Sequence, residues 1–547
     1  MDSTESRRVF LTRLGALLTG AAGLSLDVIT SADTHQRQPH ASSAKGAPEK
    51  SNSIKDIGAA GAKTPYKISE WTGDNFIHGH QFRDGKLPGK FPDQPERTVD
   101  FVIAGGGIAG LTSAFYLKEH NVLLLDQYAE PGGQSRGGTF QGIGYSYGPA
   151  YVDTVEGIYG DLYSALGIKP HALKPDDNDF YWQKKWIHGT AGKDSNSLHA
   201  EFNKLFAANR EMIKALPFED SAEAMRRPDL AKLDGAPFAS LLNGCSPEFI
   251  AFMNSVCKSE MCGNVQQVSA LTGAYMLDDL QSVNYVFPGG NSAIAKALVA
   301  KLGKANSSAL QSGTFVWKIQ LNETGANVFY STADGALHNV ACRHVIVATP
   351  AMVAWRLIAN LDDKQRANLM PFKYGSYLVA NCLLDKQLLG GAYDKWLSPP
   401  FTFSDIVRAE TPYELAGSYS AKMGSVLTLY HPWEPGSPGR ALLMAGDRDA
   451  FAKSATNQLS ELVEHMEQHL KEVVLTRWGH AIAVPVPGYF AKLQKIAAAT
   501  TGSYSLAHSS TQGLQCAETA IRGARFASNR ARAVSAKKSM LVPKPVS

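Results

Sequence analysis

The sequence predicts an α/β protein in which a Rossmann-like dinucleotide-binding domain is interleaved with an α+β domain carrying a helical insertion. Three stretches predict it. Val99 to Ala104 is an apolar run that stops at Gly105-x-Gly107-x-x-Gly110, continues as a helical pattern and returns to the run Leu123 to Leu125, closed by Asp126. That order is the signature of a βαβ nucleotide-binding unit. His344 to Thr349 reads as a strand stopped by Pro350. Near the C-terminus, Tyr504 to Leu506, the small-residue loop Ala507 to Ser510 and a helix beginning near Ala517 make another βα unit. Pieces of one sheet therefore lie at both ends of the chain, with the second domain threaded between them.

In the first unit each glycine has a separate task. Gly105 permits the tight strand-to-helix turn, Gly107 removes the side chain that would keep a pyrophosphate from the helix N-terminus, and Gly110 lets helix and strand pack closely. Asp126 is placed to take ribose hydroxyls. A carboxylate there repels a 2′-phosphate, which argues against NADP and leaves NAD and FAD open. Glu130 to Arg136 follows with a second glycine pair, Gly132 and Gly133, then Gln134 and Arg136; Arg136 is a candidate phosphate partner.

At 547 residues, with 44% hydrophobic and 19% charged residues and a net charge of +4, the chain is long enough for two or three domains and ordinary in composition for a globular protein. Ser6-Arg7-Arg8-Val9-Phe10-Leu11 precedes a weakly apolar run, Leu14 to Leu26, too short for a mature transmembrane helix. This pattern predicts a twin-arginine export signal, and so a bacterial periplasmic protein exported folded by the Tat machinery. The basic stretch Arg522 to Lys544 reads as a solvated helix end, and no nucleic-acid partner is expected. Six scattered cysteines, set mostly among apolar neighbours, read as buried free thiols, and no metal site is expected.

The expected organisation is a signal at 1–32, a flexible linker at 33–64, a docking arm at 65–96 and nucleotide-binding segments at 97–160, 285–370 and 475–535. Second-domain segments fill 161–284, as a helical cap, and 371–474, and a basic tail occupies 536–547. Within this frame Leu198 to Leu216 and Ala251 to Leu280 are helical by pattern. Thr314 to Gln320, Val328 to Ser331, Leu378 to Leu384 and Val426 to Tyr430 read as strands. Asn457 to Val473 reads as one helix, with Leu459, Leu462, Val463, Met466 and Leu470 on a stripe. The helix opening near Ala517 supplies a second N-terminus whose dipole favours negative charge.

Together, the Gly105–Gly110 motif, the Pro288-Gly289-Gly290 turn, the Val345-to-Pro350 strand and the C-terminal βα unit resemble the flavin-containing amine oxidase superfamily, over about residues 97 to 530. Arg477-Trp478-Gly479-His480-Ala481 and Ala507-His508-Ser509-Ser510 are most similar to its spermidine dehydrogenase-like, Tat-exported branch. The resemblance implies FAD in a glutathione-reductase-like domain, with non-covalent binding the default expectation because no residue matches a family attachment position. Its contacts would come from Gly105, Gly107, Ile108, Ala109, Gly110, Asp126, Gly132, Gly133, Gln134, Arg136, Val316, Ala507, His508, Ala520 and Ile521. It implies oxidation of an amine C–N bond by hydride transfer to flavin N5, with hydrolysis of the imine and with a polyamine or related amine as substrate. Oxygen or a periplasmic, quinone-linked carrier would accept the electrons. Trp478 and His480 are the candidates for the flavin face, with Tyr489 and Tyr504 behind them, and Glu260, Asp278 and Asp279 are candidates to anchor a distal ammonium.

The chain also departs from the family pattern. Ala507-His508 replaces a common Gly-Glu, the strand Tyr377 to Ala380 offers an apolar residue in place of a lysine, Cys516 stands where an aromatic is usual, and Ile482 and Val484 replace tyrosines. Two alternatives therefore stay open: a flavin desaturase acting on a C–C bond, as in carotenoid or porphyrinogen relatives, and a non-catalytic FAD-binding protein.

Overall fold

A computed structural model describes residues 65–191, 197–217, 221–305, 309–370 and 372–541; the expected export signal and linker lie outside them. The strand Arg97–Ala104 is buried from Phe101 onward because apolar residues occupy both of its faces, as a strand sandwiched between helices requires. It pairs in parallel with Val122–Leu125 on one side and with Leu337–Val347 on the other. Tyr504–Leu506 joins Leu337–Val347, also in parallel. Leu310–Gln311 lies outside Val122–Leu125, and the antiparallel strands Gly325–Ser331 and Phe315–Asn322 complete a seven-stranded sheet. The register sets Ala104 beside Val347 and Val347 beside Leu506. The loops after these three strands therefore leave the sheet at one edge, its carboxyl end, where open α/β sheets bind ligands.

A second, nine-stranded sheet is built around Ser376–Leu384, Ser425–Trp433 and Leu470–Trp478. Asp405–Arg408, Asp394–Leu397, Asn178–Trp182 and Lys185–His188 extend it at one side. Two short strands of the arm, Lys67–Ile68 and Thr72–Gly73, extend it at the other by pairing with Leu470–Trp478. Helices Ser197–Lys214, Pro247–Met261 and Ala270–Asp279 form the insertion. Their apolar faces, including Phe202, Phe249, Phe252 and Met276, are buried in a core shared with Val379 and Trp478 of the second sheet. Among the described residues no helix is long and apolar enough to cross a membrane. All six cysteines are free, and four are buried.

The α/β class and the Rossmann-like core agree with the sequence reading, whereas the single helix expected from Asn457 to Val473 does not exist. A helix ends at Ser460, a short turn spans Met466–His469, and Leu470–Trp478 is a strand. His465 sits between them in a left-handed conformation, φ 59°. The apolar stripe is real, since Leu459, Val463, Met466 and Leu470 are buried in one cluster. A helix–turn–strand satisfies that burial as well as a helix does.

Candidate functional site

The glycine turn leaves no room for a side chain at Gly106 or Gly110, while at Gly107 the space is open. A Cβ on Gly110 would lie 1.8 Å from the Gly105 carbonyl oxygen, and Gly105 itself holds φ at +106°, a region L-residues avoid. Gly107 caps the helix Ile108–Tyr116 without any side-chain hydrogen bond, so no capping side chain occupies the space before the first-turn amides. The second glycine pair closes over this turn. Gly132 N–H donates to the Gly106 carbonyl at 2.8 Å, and a Cβ on Gly133 would stand 3.1 Å from the Gly107 Cα. Two strips of bare backbone thus face each other across the helix N-terminus.

Asp126 is buried and accepts the N–H groups of Gly106, at 2.5 Å, and Tyr128, at 2.8 Å. Burial raises its carboxyl pKa, against the lowering effect of those two hydrogen bonds and of Arg136. Thr314 N–H donates to the Asp126 carbonyl at 2.8 Å, which brings Val316, two residues on, to the same end of the sheet. Arg136 directs its guanidinium to backbone: Nε donates to the Gly133 carbonyl at 3.0 Å and Nη2 to the Gly73 carbonyl at 2.7 Å. It stacks over Tyr128 at 3.8 Å and stands 5.6 Å from the Trp478 ring.

At the other end of the site, Ala507 closes the last strand, fully buried, and a Cβ on Gly523 would lie 2.7 Å from its carbonyl oxygen. The C-terminal helix Ala517–Leu541 is therefore pressed onto this loop, and Cys516 Sγ caps it by accepting the Thr519 N–H. Ala520 and Ile521 lie in its first turns with buried side chains, so only their backbone is available to a ligand. His508 Nδ1 accepts the Ser510 N–H at 3.1 Å, which places the imidazole proton on Nε2. Burial pushes its pKa down to about 4, so the ring is neutral at physiological pH.

The segment Trp478 to Ala481, at the end of the strand Leu470–Trp478, bridges the two sheets. Gln134 Nε2 donates to the Ala481 carbonyl at 2.7 Å, Gln515 donates to the same oxygen, and Ala483 N–H donates to Gln515 Oε1 at 3.1 Å. Trp478 is buried with its indole N–H on the Tyr147 carbonyl at 2.8 Å, and His480 stands edge-on to Tyr374 at 6.1 Å. Burial, then Arg440, His80 and Arg83, pushes His480 down to about 4.

Farther along the second sheet, three and four strands from the one that ends at Trp478, the second domain collects carboxyl groups at Asp405 and Asp394. Glu260 and Asp394 have pKa values raised well above the usual carboxylate range by burial first and by neighbouring acids next, and burial holds Asp405 up to about 6 against hydrogen bonds from Ser259 and Ser404. Asp153, also held up to about 6 by burial, donates its N–H to Glu518 on the first turn of the C-terminal helix at 2.8 Å. A cavity of about 20 Å³ opens beside Asp279 and Asp394, lined also by Tyr151, Asn284, Tyr393 and Trp396 and by the charged residues Lys174 and Asp177. Asp394 Oδ1 and Asn284 Oδ1 on its wall, and the buried Glu260 Oε1, have no hydrogen-bond donor among the described residues.

Residues 103–166 match the NAD(P)-binding Rossmann-like domain. The chain is similar to cyclohexylamine oxidase from Brevibacterium oxydans, with a TM-score of 0.62 and 16% identity over 81% of this chain and 100% of that one. The fold is that of solved amine oxidases. In sequence, it is 22% identical over 231 residues to the putative flavin-containing monoamine oxidase AofH of Mycobacterium tuberculosis, covering 38% of this chain and 49% of the relative. It is 38% identical over 76 residues to hydroxyneurosporene desaturase of Rubrivivax gelatinosus, covering 14% of each. The chain thus matches about half the length, or less, of these curated relatives.

That fold implies FAD, and the residues present fit it: a side-chain-free cradle over an uncapped helix N-terminus, an acid at the ribose position and a second helix N-terminus at the far end. Of the cofactor candidates, the two glycine loops, Asp126, Gln134, Val316, Ala507, His508, Ala520 and Ile521 lie along this edge, while two donors of Arg136 are given to carbonyls. Trp478 and His480 lie together on the bridging turn. Tyr489 and Tyr504 do not join them. Tyr489 is buried with its hydroxyl on the Ser510 and Gly513 carbonyls, at 3.3 and 2.9 Å, so it staples the C-terminal loop. Tyr504 pairs with Val345, three residues and about 10 Å back from Ala507 along the strand. Sequence reasoning missed Gln515, Asp394, Asp405 and Asp74, whose roles come from pairings between distant segments. The only local signal was an acid inside a strand-like stretch, as at Tyr393-Asp394-Lys395-Trp396.

Proposed function

We propose that this chain is an FAD-dependent oxidoreductase that oxidises an amine C–N bond, the resulting imine being hydrolysed by water, with a di- or polyamine as the substrate class. The observation that carries the amine reading is the set of buried carboxyl groups in the second domain, with oxygens that no donor among the described residues satisfies. Carboxyl groups that burial disfavours in the charged form regain charge against a cation, which an organic ammonium supplies together with donors and a neutral hydrocarbon does not. The aromatic neighbours Tyr151, Tyr393 and Trp396 favour the same ligand, and about 20 Å³ suits one ammonium-sized group.

When bound, FAD supplies the hydride acceptor for the carbon bearing the amine. The glycine loops and the two helix N-termini hold its charged groups. Trp478 and the apolar residues around it exclude water, which favours the neutral form of the reacting amine. His480 and His508, both neutral, place no positive charge against an incoming cation. A second ammonium, kept charged, is answered by Asp394, Glu260 and their neighbours.

The second reading, a C–C desaturase, is favoured by the likeness to hydroxyneurosporene desaturase, but a polyene leaves the buried acids unanswered. Anaerobic mixing with a panel of mono- and diamines, following the flavin absorbance, tests the proposal. Bleaching by amines supports it, bleaching only by a polyene or porphyrinogen supports the desaturase, and bound FAD that nothing bleaches supports a non-catalytic protein. We further propose Tat-dependent export to the bacterial periplasm, on the twin arginines and weakly apolar run, with a quinone-linked or other periplasmic acceptor in place of rapid reaction with oxygen. Cell fractionation of a chain with Arg7 and Arg8 changed to Lys tests the export, and the rate of reoxidation in air tests the acceptor.

A further inference from the structure

The N-terminal arm reaches into the site by a route that none of the cofactor or substrate residues above requires. Thr72–Gly73 pairs with Thr476 and Arg477, one step before Trp478. The approach is so close that a Cβ on Gly73, whose φ is +93°, would lie 2.2 Å from the Arg477 carbonyl oxygen. Asp74 N–H then donates to that same carbonyl at 2.8 Å. Its side chain turns toward the next peptide, where Oδ2 accepts the Gly479 N–H at 2.6 Å. From the opposite side Arg440 Nε donates to the Gly479 carbonyl at 2.7 Å, and its Nη2 to the Tyr374 carbonyl at 3.0 Å. The peptide groups on either side of Gly479 are thus held by a carboxylate on the N–H and a guanidinium on the C=O. Arg136 adds a third tie, from the cofactor loop at Gly133 to the arm at Gly73.

We propose that Asp74 is the positioning residue of the Trp478–Gly479–His480 turn, so that an acid delivered by the N-terminal arm sets the Trp478 and His480 side chains against the flavin. The proposal rests on the reading that this turn faces the flavin. Charge-assisted hydrogen bonds to backbone N–H are the stronger kind, and here one fixes a glycine, the residue with the most conformational freedom to lose. Asp74 faces Arg136, Arg477 and Arg440, the phenol of Tyr128 and the backbone of His480. Burial outweighs the arginines and holds its carboxyl up to about 6, so the clamp weakens as pH falls through that value.

The test uses the full-length holoenzyme and the variants Asp74→Ala and Asp74→Asn, with Lys67→Ala as a control on the exposed edge of the arm. Three quantities are measured: hydrogen exchange of the peptide containing Gly479, the bound-flavin absorbance band, and kcat and KM for the best amine. In Asp74→Ala the Gly479 amide should exchange at least about tenfold faster. The flavin band should shift, and kcat should fall at least about tenfold while KM stays within about threefold. Asp74→Asn, which keeps an acceptor oxygen, should recover much of the protection and remove the inflection of kcat near pH 6. Lys67→Ala should match wild type. Unchanged Gly479 exchange in Asp74→Ala overturns the proposal, as does faster exchange with an unmoved flavin band and kcat. If the wild-type chain binds no FAD, the functional reading fails instead, and exchange at Gly479 in the apoprotein still decides whether Asp74 holds the turn.

Discussion

Replacing Asp394 by Asn should separate diamines from monoamines. Asp394 Oδ1 is buried with no donor among the described residues, and burial, then the charges of Asp405 and Asp279, holds its carboxyl well above the usual carboxylate range. Without ligand, the charged form is therefore a liability, and Asn, of nearly the same shape, should leave thermal stability unchanged or slightly higher. With a diamine bound, the distal ammonium meets an amide in place of a carboxylate. A hydrogen bond to a charged group contributes about 1.5–3 kcal/mol, which corresponds to a roughly 10- to 160-fold change in affinity. Steady-state kinetics under a fixed acceptor should show KM for a diamine rising by that factor. KM for a monoamine of equal length should stay within about threefold, and kcat should change less than KM for both. Equal losses for the two substrates, or a fall in melting temperature of several degrees without ligand, would refute the reasoning, because the acid would then be a structural group.

Gly110→Ala should abolish FAD binding, read as loss of flavin absorbance in the purified protein, because the new methyl group would sit 1.8 Å from the Gly105 carbonyl. Diamine binding should weaken as the solution is acidified through pH 6, since Asp153 and Asp405 take up protons near that value and cease to attract a cation; the thermal shift given by a diamine should be larger at pH 8 than at pH 5. His508, with its pKa lowered by burial, stabilises the fold as a neutral ring. That contribution is fully present above the ordinary histidine value of about 6.5 and is lost as pH falls toward about 4, so His508→Gln should reduce the dependence of melting temperature on pH within that window. Tyr504→Phe should leave the kinetics unchanged, because its ring lies at the far end of its strand from Ala507.

The nucleotide end of the site was legible because its information is local. Glycine spacing, an acid after the second strand and a second glycine pair act within a few residues of one another, and the structure sets them on one edge. The Trp478–His480 pair was legible as a motif, but the reason for its rigidity was not. Asp74 and Gln515 reach it only through pairing between segments far apart in the chain, and no periodicity in one sequence announces such pairing. Nothing local in the sequence placed Tyr489 and Tyr504. Each is an aromatic near a glycine turn, yet one is turned to backbone carbonyls and the other to a core. The false helix over Asn457–Val473 has a similar origin, since spacing reports which residues are buried and not the path between them.

The arm's two short strands have a consequence for the solubility of the whole chain. Leu470–Trp478 is nine residues long, largely apolar, and has only Ser376–Leu384 on its other side. Stripped of Lys67–Ile68 and Thr72–Gly73, it would present a bare row of amides and carbonyls, the kind of template on which chains add to one another. A version of the protein starting at residue 85 should therefore lose more than Asp74: it should self-associate through this strand, and its yield as a monomer should fall.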